Sequence, residues 1–358
     1  MDTKPAFFRL RLPILLVCVA LLVLAVLAGL ARIGWALPSL PRQLPIAHGP
    51  LMVCGFFGTL IALERAVALG RRWIYAGPAC SAAAGLLLAF GQSWPAGLLF
   101  VLASVSFTLI GVRIVRQAPA NYTRVMALGA ASWLVGNLLW VLGQPLSIVV
   151  YWWAAFLLLT IAGERLELGR LLRPSRCAQT AFLLAVAALL AGAVLVAFDF
   201  ANGARVYNLA LLGLCLWFLR YDVVRVTLRS YGLPRYIAVA LGLGYVWLGA
   251  SAILGLVHGP QVAGLIYDAY WHGMFVGFVL SMVFAHGPII LPAILARTAV
   301  YHPVLYLPLT LLHTSLLVRV AGNLLLDANI RRWGGMLNGL AILLFFVSMA
   351  ISFRRNRA

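Results

Sequence analysis

Six histidines, scattered through a strongly apolar chain of 358 residues, are the side chains best suited to chemistry in this sequence. Four of them are each followed by glycine: His48, His258, His272 and His286. Imidazole nitrogens bind transition metals and exchange protons near neutral pH, and an adjacent glycine lets another group approach the backbone closely. A histidine inside a membrane helix must also find a partner, because an unpaired polar group in hydrocarbon is costly. The sequence therefore indicates metal or cofactor ligation, with hydrogen bonds between helices as the alternative.

The elements that must position these histidines are membrane helices. Hydrophobic side chains make up 64% of the chain and charged ones 10%, whereas a soluble domain has roughly 25% charged residues. A soluble globular enzyme is therefore excluded. Apolar runs long enough to cross a bilayer begin near residues 12, 49, 73, 95, 121, 147, 177, 204, 235, 262, 303 and 333. We predict an all-α polytopic membrane protein with about twelve transmembrane helices, forming a single transmembrane domain over residues 1–358.

Basic residues are distributed unevenly between the predicted loops. With the N-terminus inside, the cytoplasmic segments hold 21 of the 27 Lys and Arg residues, the opposite loops hold 5, and Arg319 lies within the eleventh helix. An excess of basic residues marks the cytoplasmic side. We therefore predict a multi-pass protein of a bacterial-type inner (plasma) membrane with both termini cytoplasmic. The net charge of +19 then reflects contact with membrane lipid, and no nucleic-acid partner is expected.

A weak internal repeat relates the predicted helices. The pairs Glu64-Arg65 and Glu164-Arg165 lie 100 residues apart, near the ends of the second and sixth helices, so both reach the same side of the membrane. Three units of four helices, over residues 1–118, 119–230 and 231–358, account for this spacing. Coincidence at an interface rich in Glu and Arg is the alternative. We expect the two pairs to be structural ion pairs, with a proton entry site as the alternative.

Depth in the membrane sorts the histidines into two groups. His272 and His286 share the tenth helix, and fourteen residues of α-helix place them about 40° apart around the axis and about 21 Å apart along it. His48, at the start of the second helix, and His272, somewhat deeper, form the predicted outer group, with His258 as a further candidate. Their depths match poorly if the tenth helix begins at residue 262, and a start nearer Tyr267 would repair the match. His286 and His313 form the predicted inner group.

Three other residues near these histidines have predicted roles. Asp268 lies one turn before His272 and is placed to orient that imidazole as a hydrogen-bond acceptor. Arg319, buried in the eleventh helix, needs an anionic partner, either a haem propionate or one of the acids Glu64, Glu164 and Asp268 on a neighbouring helix. Pro288 is expected to end or kink the tenth helix just after His286.

The chain resembles subunit I of the haem-copper oxidase superfamily in its twelve helices, its possible three-by-four repeat, and its histidines on the second and tenth helices. It is more similar to the NnrS family of haem- and copper-containing membrane proteins linked to nitric-oxide stress. The similar stretches are 47–56, 160–165 and 272–282. The resemblance implies a low-spin haem held by His48 and His272 near the outer surface.

This chain also departs from both families. Ile46-Ala47-His48-Gly49 stands where NnrS proteins tend to have His-x-His-Glu, so one histidine and the acid are missing. Haem-copper oxidases also need three histidines that bind copper, and the sixth to eighth helices contain no histidine at all. An oxidase-type copper centre, and oxygen reduction with it, is therefore not expected.

The leading hypothesis is a haem b-binding integral membrane protein with redox or gas-ligand chemistry, the gas being nitric oxide or oxygen. We expect one or two haems, the first on His48 and His272 and an inner haem or metal on His286 and His313; copper is a possible further metal. Arg319 is expected beside the cofactor. An electron donor or a partner subunit is the expected protein partner. One alternative is a transporter for a metal or small solute, in which the histidines line the path and Pro288 marks a discontinuous helix. The other is a non-catalytic membrane anchor subunit; whether the chain is an enzyme stays open.

Overall fold

The computed structural model describes residues 4–37, 41 and 43–354, with side chains described for 10–37, 41 and 43–353. The described residues form helices and short connections, with no strand among them. Twelve helical segments follow one another along this part of the chain. They are α1 (Lys4–Arg32), α2 (Leu44–Leu69), α3 (Ala76–Ala89), α4 (Ser93–Gln117), α5 (Asn121–Val141), α6 (Leu146–Leu172), α7 (Arg176–Leu195), α8 (Phe200–Tyr221), α9 (Gly232–His258), α10 (Leu265–Leu295), α11 (Pro303–Leu324) and α12 (Ala328–Arg354).

Ten of these segments are long and apolar enough to cross a membrane. The exceptions in the described chain are α3, whose α-helix has only 14 residues, and α8, whose first half carries Asn202, Arg205 and Asn208. The prediction of an all-α polytopic membrane protein is thus confirmed. The twelve segments agree with the expected number of about twelve spanning helices, and ten of them are both long enough and apolar enough to span a membrane.

Three helices lie at the centre of the bundle. In the apolar stretch of each helix, the buried share of residues is 67% for α2, 72% for α6 and 61% for α10. These shares are larger than those of the other described spans. Helix α10 contacts both α2 and α6, and α1 and α12 close the bundle beside them. The central helices are four segments apart in the chain, a spacing that the three-unit repeat would also produce; the repeat itself stays a prediction.

Each of the two helices that carry His48 and His272 contains a π-helix. The π-helical stretch of α2 covers Leu51–Gly58 and begins three residues after His48, and that of α10 covers Gly273–Leu280, immediately after His272. Such stretches are rare in proteins and are frequent at functional sites. The wider turns change the register between the start of each helix and its remainder.

The ends of these two helices are set by residues with positive φ. Gly70 follows α2 with a φ of 64°, and Gly264 precedes α10 with a φ of 99°, a backbone conformation that glycine adopts without strain. At the other end of α10, Ala296 has a φ of 50°. The tenth helix therefore begins at Leu265, three residues later than predicted.

Pro288 was expected to end or kink α10, and the prediction that the helix ends there is wrong. The helix continues through Pro288 and Pro292 to Leu295. In a helix, proline removes one hydrogen bond, and the surrounding packing can compensate for that loss. The transporter hypothesis relied on a discontinuous tenth helix and loses that support.

Candidate functional site

A large cavity, which we call the histidine cavity, lies between the starts of α2 and α10 and the neighbouring parts of α1, α6, α11 and α12. Its volume is about 660 Å³, within the range of roughly 300–1,000 Å³ typical of cofactor and ligand sites. Its walls are mainly apolar, and its polar lining includes His48, His272, Asp268, Arg319 and Arg331. The cavity therefore combines an apolar body with a few polar groups, as cofactor sites do.

His48 is held in this cavity by α1. Its Nδ1 lies 2.7 Å from the backbone oxygen of Ala25, which can only accept a hydrogen bond. The ring packs against Gly29 so closely that a Cβ at this position would lie 2.7 Å from His48 Cε1. Because the carbonyl selects the tautomer with a proton on Nδ1, the lone pair of Nε2 is free for a ligand.

His272 is held by Asp268, one turn earlier on α10. Its Nδ1 lies 2.8 Å from the backbone oxygen of Asp268 and 3.2 Å from that residue's Oδ1. The Asp268 carboxylate accepts two hydrogen bonds from Arg319, at 2.9 Å and 2.6 Å, and one from Asn323 at 2.8 Å. This arrangement again places the proton of the imidazole on Nδ1 and leaves Nε2 as an acceptor.

The two imidazoles face each other across the cavity. Their ring centroids are 6.1 Å apart, and their planes are inclined by only 12°. A metal–imidazole bond is about 2.0–2.1 Å long and the nitrogen lies roughly 1.1 Å from the ring centre, so two rings on opposite sides of one metal ion have centroids about 6 Å apart. In the described structure neither Nε2 has a hydrogen-bond partner. The separation of the two rings therefore matches that of two imidazoles holding one metal ion between them.

The charges around the cavity favour an anionic group. Arg32, Arg319 and Arg331 line it together with Asp268, and the Asp268 carboxylate is engaged by Arg319. In Arg331 the Nε atom is buried and has no hydrogen-bond partner in the described structure. Guanidinium groups bind carboxylates in pairs of hydrogen bonds, so Arg32 and Arg331 are suited to carboxylates on a bound group.

His286 and His313 do not come together. His313 accepts a hydrogen bond from Trp247 Nε1 at 3.0 Å on its Nδ1, and its Nε2 lies 3.0 Å from Ser281 Oγ. His286 Nδ1 lies 2.8 Å from the Met282 backbone oxygen, and its Nε2 lies 3.4 Å from Arg165 Nη2. No hydrogen bond or ring contact joins the two rings in the described structure, so their joint ligation of an inner metal stays a prediction.

The other two histidines lie away from both groups. His258 is the last residue of α9 and is exposed, and it does not line the histidine cavity. His302 precedes α11, where its Nδ1 accepts a hydrogen bond from Val304 N at 3.0 Å. Within the residues described here, no three His, Cys, Asp or Glu side chains are placed to hold a metal ion. The described residues therefore offer no group of three such side chains for the copper considered from the sequence.

Several residues of the site were not predicted. The Ala25 carbonyl, Gly29 and Asn323 fix the two histidines or the acid beside them, but nothing in the spacing of α1 indicates that it meets His48. Of the two kinds of partner predicted for Arg319, a haem propionate or an acidic side chain, the structure shows an acidic one, Asp268. Arg319 also lines the cavity.

The chain belongs to the family "Domain of unknown function (DUF8744)", whose model matches residues 11–354. No curated protein matches it. Among solved structures it is similar to a chain described as "Cryo-EM structure of a heme-copper terminal oxidase dimer provides insights into its catalytic mechanism", with a TM-score of 0.61 and 13% identity over 98% of this chain and 84% of that one. The fold is therefore haem-copper oxidase-like, and the resemblance to the NnrS family is not confirmed.

Proposed function

We propose that this member of the DUF8744 family is a haem b-binding integral membrane protein in which His48 and His272 would hold the iron of one haem. The observation that supports the proposal is the pair of nearly parallel imidazoles, with ring centroids 6.1 Å apart. Each has Nδ1 at a backbone carbonyl, and both histidines line the cavity. Hydrogen bonds between helices do not account for this arrangement, because they leave both Nε2 atoms without a partner.

The surrounding residues hold the two ligands in place before the haem binds. Ala25 and Asp268 fix the tautomers and the ring orientations, and Arg319 in turn fixes Asp268. Gly29 leaves the space that the His48 ring occupies. Preorganised ligands lose less conformational freedom on binding, so the affinity for the haem is higher.

The two carboxylates of the haem would lie at the arginines. Because Arg319 is engaged by Asp268, we assign the propionates chiefly to Arg32, which lines the cavity, and to Arg331, whose Nε lacks a partner in the described structure. Arg319 then holds the Asp268 carboxylate. This assignment modifies the predicted contact between Arg319 and a propionate.

When bound, such a haem would supply reversible one-electron transfer, since the imidazoles of His48 and His272 would both hold its iron. Nitric oxide or oxygen would have to displace one of them. We therefore propose electron transfer rather than gas chemistry at this site, and one haem rather than two, because both nitrogens of His313 are engaged by protein groups. An electron donor or partner subunit, a bacterial-type inner membrane and cytoplasmic termini belong to the same proposal.

The experiment is to purify the protein and three variants from a host that makes haem b and to measure absorption spectra and bound haem. The unsubstituted protein is expected to carry one haem b per chain, with a spectrum that changes on reduction. His48→Ala and His272→Ala are expected to lose most of it, while His258→Ala, a control on an exposed histidine, keeps it. A colourless unsubstituted protein, or full haem content in the first two variants, overturns the proposal.

A further inference from the structure

A second cavity, which we call the carboxyl chamber, lies toward the other ends of α2, α6 and α10. Its volume is about 80 Å³, enough for a few water molecules. Glu64 from α2, Glu164 from α6 and His286 from α10 line it, and nearly all its other lining residues are apolar. The chamber therefore places two carboxyl groups of separate helices in one small space inside a membrane protein.

The expected ion pairs between these glutamates and arginines are not formed. In the described structure neither Glu64 nor Glu164 has a hydrogen bond or an ion pair within 4 Å. The Arg65 guanidinium contacts the sulfur of Met126 at 3.7 Å. An ionised carboxylate without a partner is costly at this depth, and a second one in the same space adds repulsion.

A buried arginine, Arg165, lies beside His286, one of the residues that line the chamber. Its side chain is 2% exposed, its Nη2 lies 3.4 Å from His286 Nε2, and its Nε is buried without a partner. Since a guanidinium only donates, Nε2 is the acceptor, while the Met282 carbonyl at 2.8 Å takes the Nδ1 proton. His286 is therefore the neutral tautomer and contributes no positive charge to the chamber.

The charged and titratable groups around the chamber are few. Among the described side chains of α1, the thiol of Cys18 is the only titratable group that lines the chamber, and it donates to the Phe56 carbonyl. Helix α12 contributes the rings of Phe345 and Phe346. Near its walls, the groups of the other packed elements are Arg65 on α2, Arg165 and Glu167 on α6, and Asp222 after α8. Glu167 is directed away, to an exposed pair with Arg170 at 3.4 Å.

We propose that Glu64 and Glu164 share one exchangeable proton, so that the carboxyl chamber is a proton-binding site on the predicted cytoplasmic side. One proton removes the repulsion between the carboxylates and leaves a single negative charge, which the nearby Arg65 and Arg165 stabilise. Water in the chamber carries the proton between the two groups. The unpartnered Nε of Arg165 indicates further water next to His286. This site does not depend on what occupies the histidine cavity.

The test is infrared difference spectroscopy of the full-length protein in liposomes, in H2O and D2O, between pH values on either side of neutrality. The expected result is a C=O band of a protonated carboxyl group, shifted by D2O, that disappears as the pH rises. In Glu64→Gln and in Glu164→Gln the remaining carboxyl has no charged neighbour to repel it. Its band is therefore expected to disappear at a pH at least about one unit lower, a tenfold change in proton affinity.

Glu167→Gln is the matched control, because it removes a carboxyl from the same helix as Glu164 but outside the chamber; it is expected to leave the band unchanged. Size-exclusion chromatography in detergent identifies variants that have lost their fold. Absence of a titrating band assigned to either glutamate overturns the proposal. The same holds if each single variant leaves the titration of the other group unchanged, since the two carboxyls are then independent.

Discussion

Substitution of Gly29 by alanine tests whether His48 is held in place for a ligand. The added Cβ would lie 2.7 Å from Cε1 and 2.8 Å from Nδ1 of His48. The distance to Cε1 is about 0.7 Å shorter than the 3.4 Å at which ordinary van der Waals contact begins. If the ring withdraws by that amount, its 2.7 Å hydrogen bond to the Ala25 carbonyl lengthens beyond the useful range of about 3.2 Å. A lost hydrogen bond is worth about 0.5–1.5 kcal/mol, and loss of a partner that orients a metal ligand costs about 10- to 100-fold in affinity.

We therefore expect Gly29→Ala to release haem about tenfold faster than the unsubstituted protein, measured by transfer to excess apomyoglobin. Gly49→Ala is the matched control, because this glycine is next to His48 in the sequence and a Cβ there meets nothing within 4 Å. Equal rates of haem release from both variants and the unsubstituted protein would refute the reasoning, as would equal acceleration in both variants.

Three further predictions concern the same helices. Asp268→Asn leaves the Arg319 guanidinium, whose side chain is 8% exposed, without its counter-charge. The expected loss of stability is about 3–5 kcal/mol, measured as a lower Tm in detergent. Glu167→Gln, at the exposed pair with Arg170, is expected to lose less than about 1 kcal/mol. Equal losses contradict this. His313→Ala is expected to lower the Tm, since Trp247 and Ser281 lose their partner, but to keep the haem content; parallel loss of haem would make His313 a ligand. Carbon monoxide is expected to leave the spectrum of the reduced protein unchanged and to change that of any haem retained by His272→Ala; a shift in the unsubstituted protein contradicts bis-imidazole ligation.

Much of the architecture could be predicted because hydrophobic run length is a direct consequence of the thickness of the bilayer. Each predicted apolar run corresponds to one helical segment. Two segments do not meet the criteria of length and apolarity. The α-helix of α3 is too short, and Asn202, Arg205 and Asn208 interrupt the apolar run of α8. The continuity of α10 through Pro288 could not be predicted, since it depends on packing against neighbouring helices rather than on local preference.

The candidate site was predictable only in part. Side-chain type and position along the helix place His48 and His272 at comparable depth, and the i, i+4 spacing places Asp268 beside His272. The contact of α1 with His48 through Ala25 and Gly29 depends on which helices become neighbours, and a backbone carbonyl has no signature in the sequence. The depth argument grouped His313 with His286, but depth does not specify rotation about the helix axis, and His313 instead faces Trp247 and Ser281.

The most direct test of the central claim is the electron paramagnetic resonance spectrum of the oxidised protein. Two imidazoles with planes inclined by 12° on one ferric haem are expected to give a rhombic low-spin signal, because nearly parallel ligand planes separate the iron d-orbital energies. The same signal should be absent from His48→Ala and His272→Ala. A high-spin signal from the unsubstituted protein, or the absence of any haem signal, would contradict the ligation of one iron by both histidines.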